Sequence, residues 1–357
     1  MSVPFDLLAL AAQFVDIASE SFREADLVDL LEGELRGLEH LEVTRVGDNL
    51  VARTQLGRPL RLILGGHTDT VAANDNEGAR IVGDVLWGLG SADMKAGLAV
   101  MLASARTHVD PAVDLTYVFY AREEVASEHN GLGELFAARP DLLVGDVALL
   151  GEPTDGALEA GCQGSVRVRV TMAGARAHTA RAWMGRNAIH RAGPLLSAIA
   201  GYEPRTPEIA GCSFHEAMQV VAIDGGVSGN VVPDRVTLTI AHRFAPDRDA
   251  AQAEAHLRQL VSPFLTEGDT IAVIDVANAA PPAVDHPLVA ALISRNRLSV
   301  TAKLGWTDVA RFAEAGVPAA NFGPGDPTLA HTGEERVTRD SIERTWSALD
   351  DLIRFST

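Results

Sequence analysis

The stretch Leu62-Ile63-Leu64-Gly65-Gly66-His67-Thr68-Asp69 runs three apolar residues into two glycines, an imidazole and a carboxylate. A short apolar run that stops at polar, glycine-bearing sequence predicts a buried strand of a parallel sheet, with any chemistry at its carboxyl end. Two later runs repeat the pattern. Leu115-Thr116-Tyr117-Val118-Phe119-Tyr120 precedes Ala121-Arg122-Glu123-Glu124, and Val147-Ala148-Leu149-Leu150 precedes Gly151-Glu152-Pro153-Thr154. Residues 96–106, rich in Ala, Leu and Met, fit a helix between the first two strands. Strands alternating with helices place this part of the chain in the α/β class.

Outward from this core the texture changes near Gly164. Val166-Arg167-Val168-Arg169-Val170 and Arg235-Val236-Thr237-Leu238-Thr239-Ile240 alternate apolar with polar residues, as strands with one wet face do. Helices fit near residues 187–200 and 249–264, so residues 163–276 are expected to form an inserted α+β domain. Asn278-Ala279-Ala280-Pro281-Pro282 has the composition of a return linker. A helix near 287–297, a strand near 319–322 and a last helix over about 339–355 follow. The expected organisation is a discontinuous domain of residues 1–162 and 277–357 with residues 163–276 spliced into it.

The 357 residues, 47% hydrophobic and 22% charged, suffice for two domains with real cores and exclude general disorder. With 30 basic against 48 acidic residues the formal charge is -18, which repels phosphate backbones and anionic lipid surfaces, so neither nucleic acid nor membrane is expected as a partner. Residues 163–276 hold 11 Arg and 11 acids, so the imbalance belongs to the rest of the chain; residues 163–202 hold six arginines and no acid. Two cysteines, Cys162 and Cys212, are too few for a disulfide framework or a thiolate metal knuckle and suit a reducing cytoplasm. Residues 1–22 contain no Lys or Arg, unlike a signal peptide, and Leu7, Leu10, Ala11, Phe14, Val15 and Ala18 fall at helical spacing. A soluble cytoplasmic protein is the expectation.

His67, Asp69, Glu123, Glu124 and Glu152 all follow candidate strands, and the strand near 319–322 leads through Gly323-Pro324-Gly325-Asp326-Pro327 to His331. Each of these alone is common by chance. Together, two imidazoles and several carboxylates at one sheet edge repel strongly unless cations hold them. Nitrogen and oxygen donors without thiolate suit zinc and tolerate cobalt or manganese, and the ligands exceed what one catalytic zinc uses, which favours two metals. Asp93 sits in Gly88-Leu89-Gly90-Ser91-Ala92-Asp93, where a dinucleotide-binding loop would need a third glycine. There is no Walker lysine motif and no G-x-S-x-G elbow, so nucleotide and serine-hydrolase chemistry are disfavoured.

Gly65-Gly66-His67-Thr68-Asp69-Thr70-Val71, the run from Trp87 through Asp93 to Gly97, Arg122-Glu123-Glu124 and Gly151-Glu152-Pro153-Thr154 resemble, in order, the metal-site motifs of the M20 metallopeptidase and deacylase family. Ala177-His178-Thr179-Ala180-Arg181, Gly229-Asn230-Val231-Val232-Pro233 and Ala330-His331-Thr332 extend the likeness nearly end to end. The resemblance implies an α/β, dizinc aminopeptidase-like catalytic domain with an inserted α+β, ferredoxin-like lid and dimerisation domain. It implies two Zn2+ per subunit, with Co2+ or Mn2+ as substitutes: His67 and Glu152 on one, Glu124 and His331 on the other, Asp93 on both. Asp69 would orient the His67 ring, and Glu123 would be the general base. His178, supplied by the partner in a homodimer, would stabilise the oxyanion.

Asn230 and Arg243 match substrate-holding positions, and Arg176 and Thr307 are further candidates; Thr307 would contact an acyl carboxylate or cap a helix beginning near Asp308. Gly161-Cys162-Gln163-Gly164, residues 176–185 and residues 304–312 look like the actinobacterial branch that releases succinate from N-succinyl-L,L-2,6-diaminopimelate, an anionic small molecule. Deacetylation of acetylornithine, or another aminoacylase or carboxypeptidase reaction, is the alternative within the same chemistry. A silent binding protein on the same fold is the third.

Overall fold

The computed structural model of the chain describes residues 5–355, so the first four residues of the amino-terminal stretch lie outside it. Twelve strands build its eight-stranded and four-stranded sheets. In chain order they are β1 (Glu42–Val46), β2 (Asn49–Arg53), β3 (Arg61–His67), β4 (Asp114–Tyr120), β5 (Val147–Leu150) and β6 (Leu158–Cys162). The remainder are β7 (Gly164–Ala173), β8 (Ala217–Gly225), β9 (Arg235–Phe244), β10 (Thr270–Ala277), β11 (Val300–Lys303) and β12 (Ala319–Asn321). The chain forms two compact units: unit 1 is Met1–Gly161, Pro282–Thr301 and Arg311–Thr357, and unit 2 is Cys162–Pro281 and Ala302–Ala310.

Unit 1 is a mixed α/β structure around an eight-stranded sheet in the order β1-β2-β4-β3-β5-β12-β6-β11. The three apolar runs are its centre: β3 pairs parallel with β4 and with β5, and β12 pairs parallel with β5. β4 and β5 are buried along their whole length, which is why they read as unbroken apolar sequence. The helix Ala96–Thr107 is buried nearly all round and packs on β3. The amino-terminal helix is Leu7–Val15, capped by the Asp6 carboxylate on the Ala9 N–H, and it buries Leu7, Leu8, Leu10, Ala11, Phe14 and Val15. It stops at Val15, so Ala18 of the apolar pattern lies past its end.

Unit 2 is built on an antiparallel sheet in the order β8-β9-β7-β10. Val166, Val168 and Val170 of β7 and Val236, Leu238 and Ile240 of β9 point to one face, where they meet Leu195 of the helix Ala188–Ala200 and Leu257 and Val261 of the helix Ala250–Val261. Each such wholly buried side chain contributes roughly 1.5–3 kcal/mol of transfer free energy. Asn187 and Asp249 cap the two helices, and Asp249 forms a full capping box with Gln252. The other face of the sheet carries the alternating polar residues. Among the described residues no helix is long and apolar enough to cross a membrane.

Candidate active site

Because β3, β4, β5 and β12 run parallel, their carboxyl ends share one edge of the unit 1 sheet. His67 is the last residue of β3, Glu123 and Glu124 follow β4, and Glu152 follows β5. Asp93 arrives from an irregular helical turn, Ser91–Lys95, that leads into the helix Ala96–Thr107. His331 reaches the same place from the loop after β12, with a left-handed backbone at φ 61°.

The side chains converge. His67 Nε2 lies 3.0 Å from Asp93 Oδ1, and His331 Nε2 lies 2.9 Å from Glu124 Oε1 and 3.5 Å from Asp93 Oδ2. Asp93 therefore turns one oxygen to each imidazole. Two triads, His67/Asp93/Glu152 and Asp93/Glu124/His331, each bring three donor atoms within 4.8 Å of one another, and they share Asp93; His67, Glu123 and Glu124 form a third. His67 is buried, whereas the His331 side chain is about half exposed (52%), so the cluster opens to solvent on that side.

The electrostatics follow from this crowding. Burial opposes a charge on His67, but contacts with Asp69, Asp93 and Glu152 outweigh it and hold the imidazolium well above the ordinary histidine range. Asp93 and Glu124 push His331 up to about 10. Burial works against ionising Asp93, yet the two imidazoles keep its carboxyl well below the usual carboxylate range. A cluster of carboxylates that draws protons onto both of its imidazoles is one that calls for positive charge, and its nitrogen and oxygen donors suit divalent cations.

Asp69 does more than face an imidazole. Its carboxylate is 3.5 Å from His67 Nδ1, while its backbone oxygen is nearer, at 3.0 Å. The carboxylate accepts the N–H groups of Glu123 and Glu124 at 2.9 and 3.0 Å and the Ser21 hydroxyl at 2.7 Å. It thus sets the backbone of the turn that presents both glutamates, whose preceding residue Arg122 is held at φ 61°.

Glu335, which sequence reasoning passed over, is a buried partner of the same kind. One oxygen accepts the N–H of Ala92 (2.9 Å) and of Asp93 (3.0 Å), and the other accepts Gly90 N–H at 3.0 Å. Burial raises its pKa against those three donors. Lys95, equally buried, donates to the Ile17 carbonyl at 2.7 Å and is pushed down to about 8 by burial. The turn carrying Glu152 is held by close backbone approach: a Cβ on Gly97 or on Gly323 would collide with the Gly151 carbonyl oxygen.

The remaining candidates belong to unit 2 and divide between the ends of its sheet. Beyond the Ala173/Arg235 end, His178 bridges to Val231, Thr179 N–H donates to the Asn230 carbonyl at 3.0 Å, and Arg176 pairs with Asp234 at 2.8 Å. His178 Nδ1 accepts the Ala180 N–H at 3.0 Å, which leaves Nε2 as the outward donor. Arg243 lies at the opposite end, paired across strands with Ser165 and Ala217. Thr307 is buried at that end too: its carbonyl accepts from Cys162 Sγ at 3.8 Å and from Ala310 N–H at 3.1 Å, at the start of the helix Val309–Glu314. Arg243 lies eight positions along β9 from Arg235, roughly 26 Å of strand.

Residues 63–354 match peptidase family M20/M25/M40. A Mycobacterium tuberculosis protein provisionally named succinyl-diaminopimelate desuccinylase, DapE, is 45% identical over 98% of this chain and 97% of its own length. The succinyl-diaminopimelate desuccinylase of Corynebacterium glutamicum is 41% identical over 94% of this chain and 93% of its own. A tripeptidase from Staphylococcus aureus superposes with a TM-score of 0.80 over 99% of both chains at 20% identity, a likeness of fold. By the extent of these matches, this chain is a member of the M20/M25/M40 peptidase family.

Proposed function

We propose that this protein is a two-metal amidohydrolase that cleaves N-succinyl-L,L-2,6-diaminopimelate to succinate and L,L-diaminopimelate, acting in the cytoplasm as a homodimer. The substrate follows from the relatives of 41 and 45% identity that carry the desuccinylase name. The metal reading is carried by one observation: Asp93 directs its two oxygens at two different imidazoles and is shared by two donor triads. His67 and Glu152 would hold one ion, Glu124 and His331 the other, and Asp93 both. Zinc suits this set, with cobalt or manganese as substitutes.

Two such ions, when bound, polarise an amide carbonyl and lower the pKa of water toward neutrality. The protein's own groups account for the proton and the geometry. Glu123 takes the proton of the attacking water on its carboxylate and returns it to the departing amine nitrogen. Asp69 keeps that carboxylate in place through the Glu123 N–H. His178 donates from Nε2 to the tetrahedral oxyanion, and Arg243 pairs with a substrate carboxylate. His178 and Arg243 stand at opposite ends of one sheet, farther apart than one small substrate reaches. This supports a reading in which a second copy of the chain supplies one of them, and we assign His178 to the partner.

Two experiments test this. Turnover of N-succinyl-diaminopimelate, N-acetylornithine and simple N-acyl amino acids is measured beside metal content on the same sample; the succinyl compound should have the highest kcat/KM, and a faster acetyl substrate overturns the assignment. Mixing Glu123→Ala protein with His178→Ala protein should restore activity above that of either alone, because some heterodimers then hold one intact site. Strictly monomeric sedimentation with full activity refutes the shared site.

A further inference from the structure

The unit 2 sheet has one face covered by helices and one open. On the open face, register puts Ser165 opposite Arg243 and Ala277, and Arg167 opposite Ala241 and Asp275. Arg243 is thus bordered by Ser165, Ala217 and Ala241, side chains too short to fill the space above the sheet. Among the described residues its guanidinium makes no ion pair. Burial and the neighbouring Arg167 charge lower its pKa from the ordinary arginine value, outweighing Cys162 and Asp275, which raise it.

Arg167, by contrast, is occupied. Its Nε and Nη2 both donate to Asp275 Oδ2, at 3.0 and 2.7 Å. That pairing depends on an irregularity. β10 matches β7 residue for residue from Thr270 opposite Thr171 to Val273 opposite Val168, then skips Ile274, so that Asp275 faces Arg167. In an unbroken ladder Ile274 would face Arg167, and Asp275 would lie opposite Val166 on the helix-covered side. Bulges re-aim side chains in this way and are frequent beside functional sites.

We propose that Asp275 is a specificity-determining residue: by occupying Arg167 it makes the Arg243 end of the unit 2 sheet a reader of a single carboxylate and prevents dianions from being clamped between two arginines. This rests on the reading of Arg243 as a substrate-carboxylate contact. Two free, adjacent guanidiniums bind a dicarboxylate much more tightly than a monocarboxylate. A hydrolase that releases a dicarboxylic acid would then hold its own product, and Asp275 guards against that.

The test is calorimetric binding of succinate and of monomethyl succinate to the full-length, metal-loaded enzyme. Asp275→Asn should tighten succinate about tenfold, the increment of one added charge-assisted contact, and leave the monoester within about twofold. Asp275→Ser should do the same, and adding Arg167→Met to either should return succinate to the wild-type value. An exposed ion pair contributes little to stability, so the fold tolerates these changes. The proposal is overturned if the Asp275 variants tighten both probes alike or neither, while Arg243→Met still weakens both. If Arg243→Met weakens neither, the carboxylate role of Arg243 itself is overturned.

Discussion

Unit 1 gathers its candidate site residues at one edge of the parallel centre of a mixed sheet, whereas unit 2 distributes its own over both ends of an antiparallel one. The difference follows from topology. Parallel strands joined by crossovers all deliver their carboxyl ends to the same side, so His67, Glu123, Glu124 and Glu152 meet without any special device. Antiparallel strands alternate direction, so His178 and Asn230 leave at one end while Arg243 stays at the other. A convergent site works within one chain. A divided one keeps the two groups of side chains apart by the length of a strand.

The largest effect is expected from Glu123, the proposed proton carrier of the convergent site. Glu123→Gln should lower kcat by roughly 10^2–10^4-fold, the range for loss of a general base. Metal content should stay at the wild-type level, because Glu123 belongs to neither of the two triads that share Asp93. Metal loss parallel to activity loss would make Glu123 a ligand and redraw the cluster.

The convergent half was legible in the sequence because its signals are local: an apolar run and the polar residue that ends it lie within ten positions of each other. The divided half was less so. Residues 163–202 hold six arginines and no acid, and nothing local names a partner for them. In the folded unit Arg167 meets Asp275, Arg176 meets Asp234 and Arg191 meets Asp269. These acids lie 58 to 108 residues away in the chain, and strand register and a bulge, which no local pattern announces, bring them back. Glu335 escaped notice for a related reason: it stands beside Glu334 and Arg336 in what reads as a solvated charged run, and only the tertiary return to Gly90 and Asp93 reveals its use.

Glu335 offers a test of intermediate size on the convergent side. Glu335→Ala removes the acceptor for three backbone N–H groups that shape the Asp93 turn. By the usual effect of such outer partners, metal affinity should fall by about 10–100-fold. Competition with a chelator measures it, and Glu335→Gln, which keeps an acceptor oxygen, should recover part of the loss. Unchanged affinity in the alanine variant would show that the turn holds its shape without Glu335.

The smallest effect is expected in the core of unit 2, and it concerns stability rather than turnover. His242, on β9, is fully buried, and burial pushes its pKa down to about 4; Glu216 acts against this, while His256 and Arg248 reinforce it. A folded-state value below the unfolded one, near 6.5, means that the neutral ring contributes stability in full above about pH 6.5. That contribution is lost as pH falls toward 4, because only the unfolded chain then accepts the proton readily. Between pH 7 and 5 the loss from this one residue is about 2 kcal/mol. His242→Phe has no ring nitrogen to charge, so the β7 and β9 amides in that variant should keep more of their hydrogen-exchange protection at pH 5 than in the wild type. The gain should vanish at pH 7.5, where the wild-type ring is neutral in both states. An equal gain at both pH values would mean that the phenyl ring simply packs better and that proton linkage at His242 is not what makes unit 2 sensitive to acid.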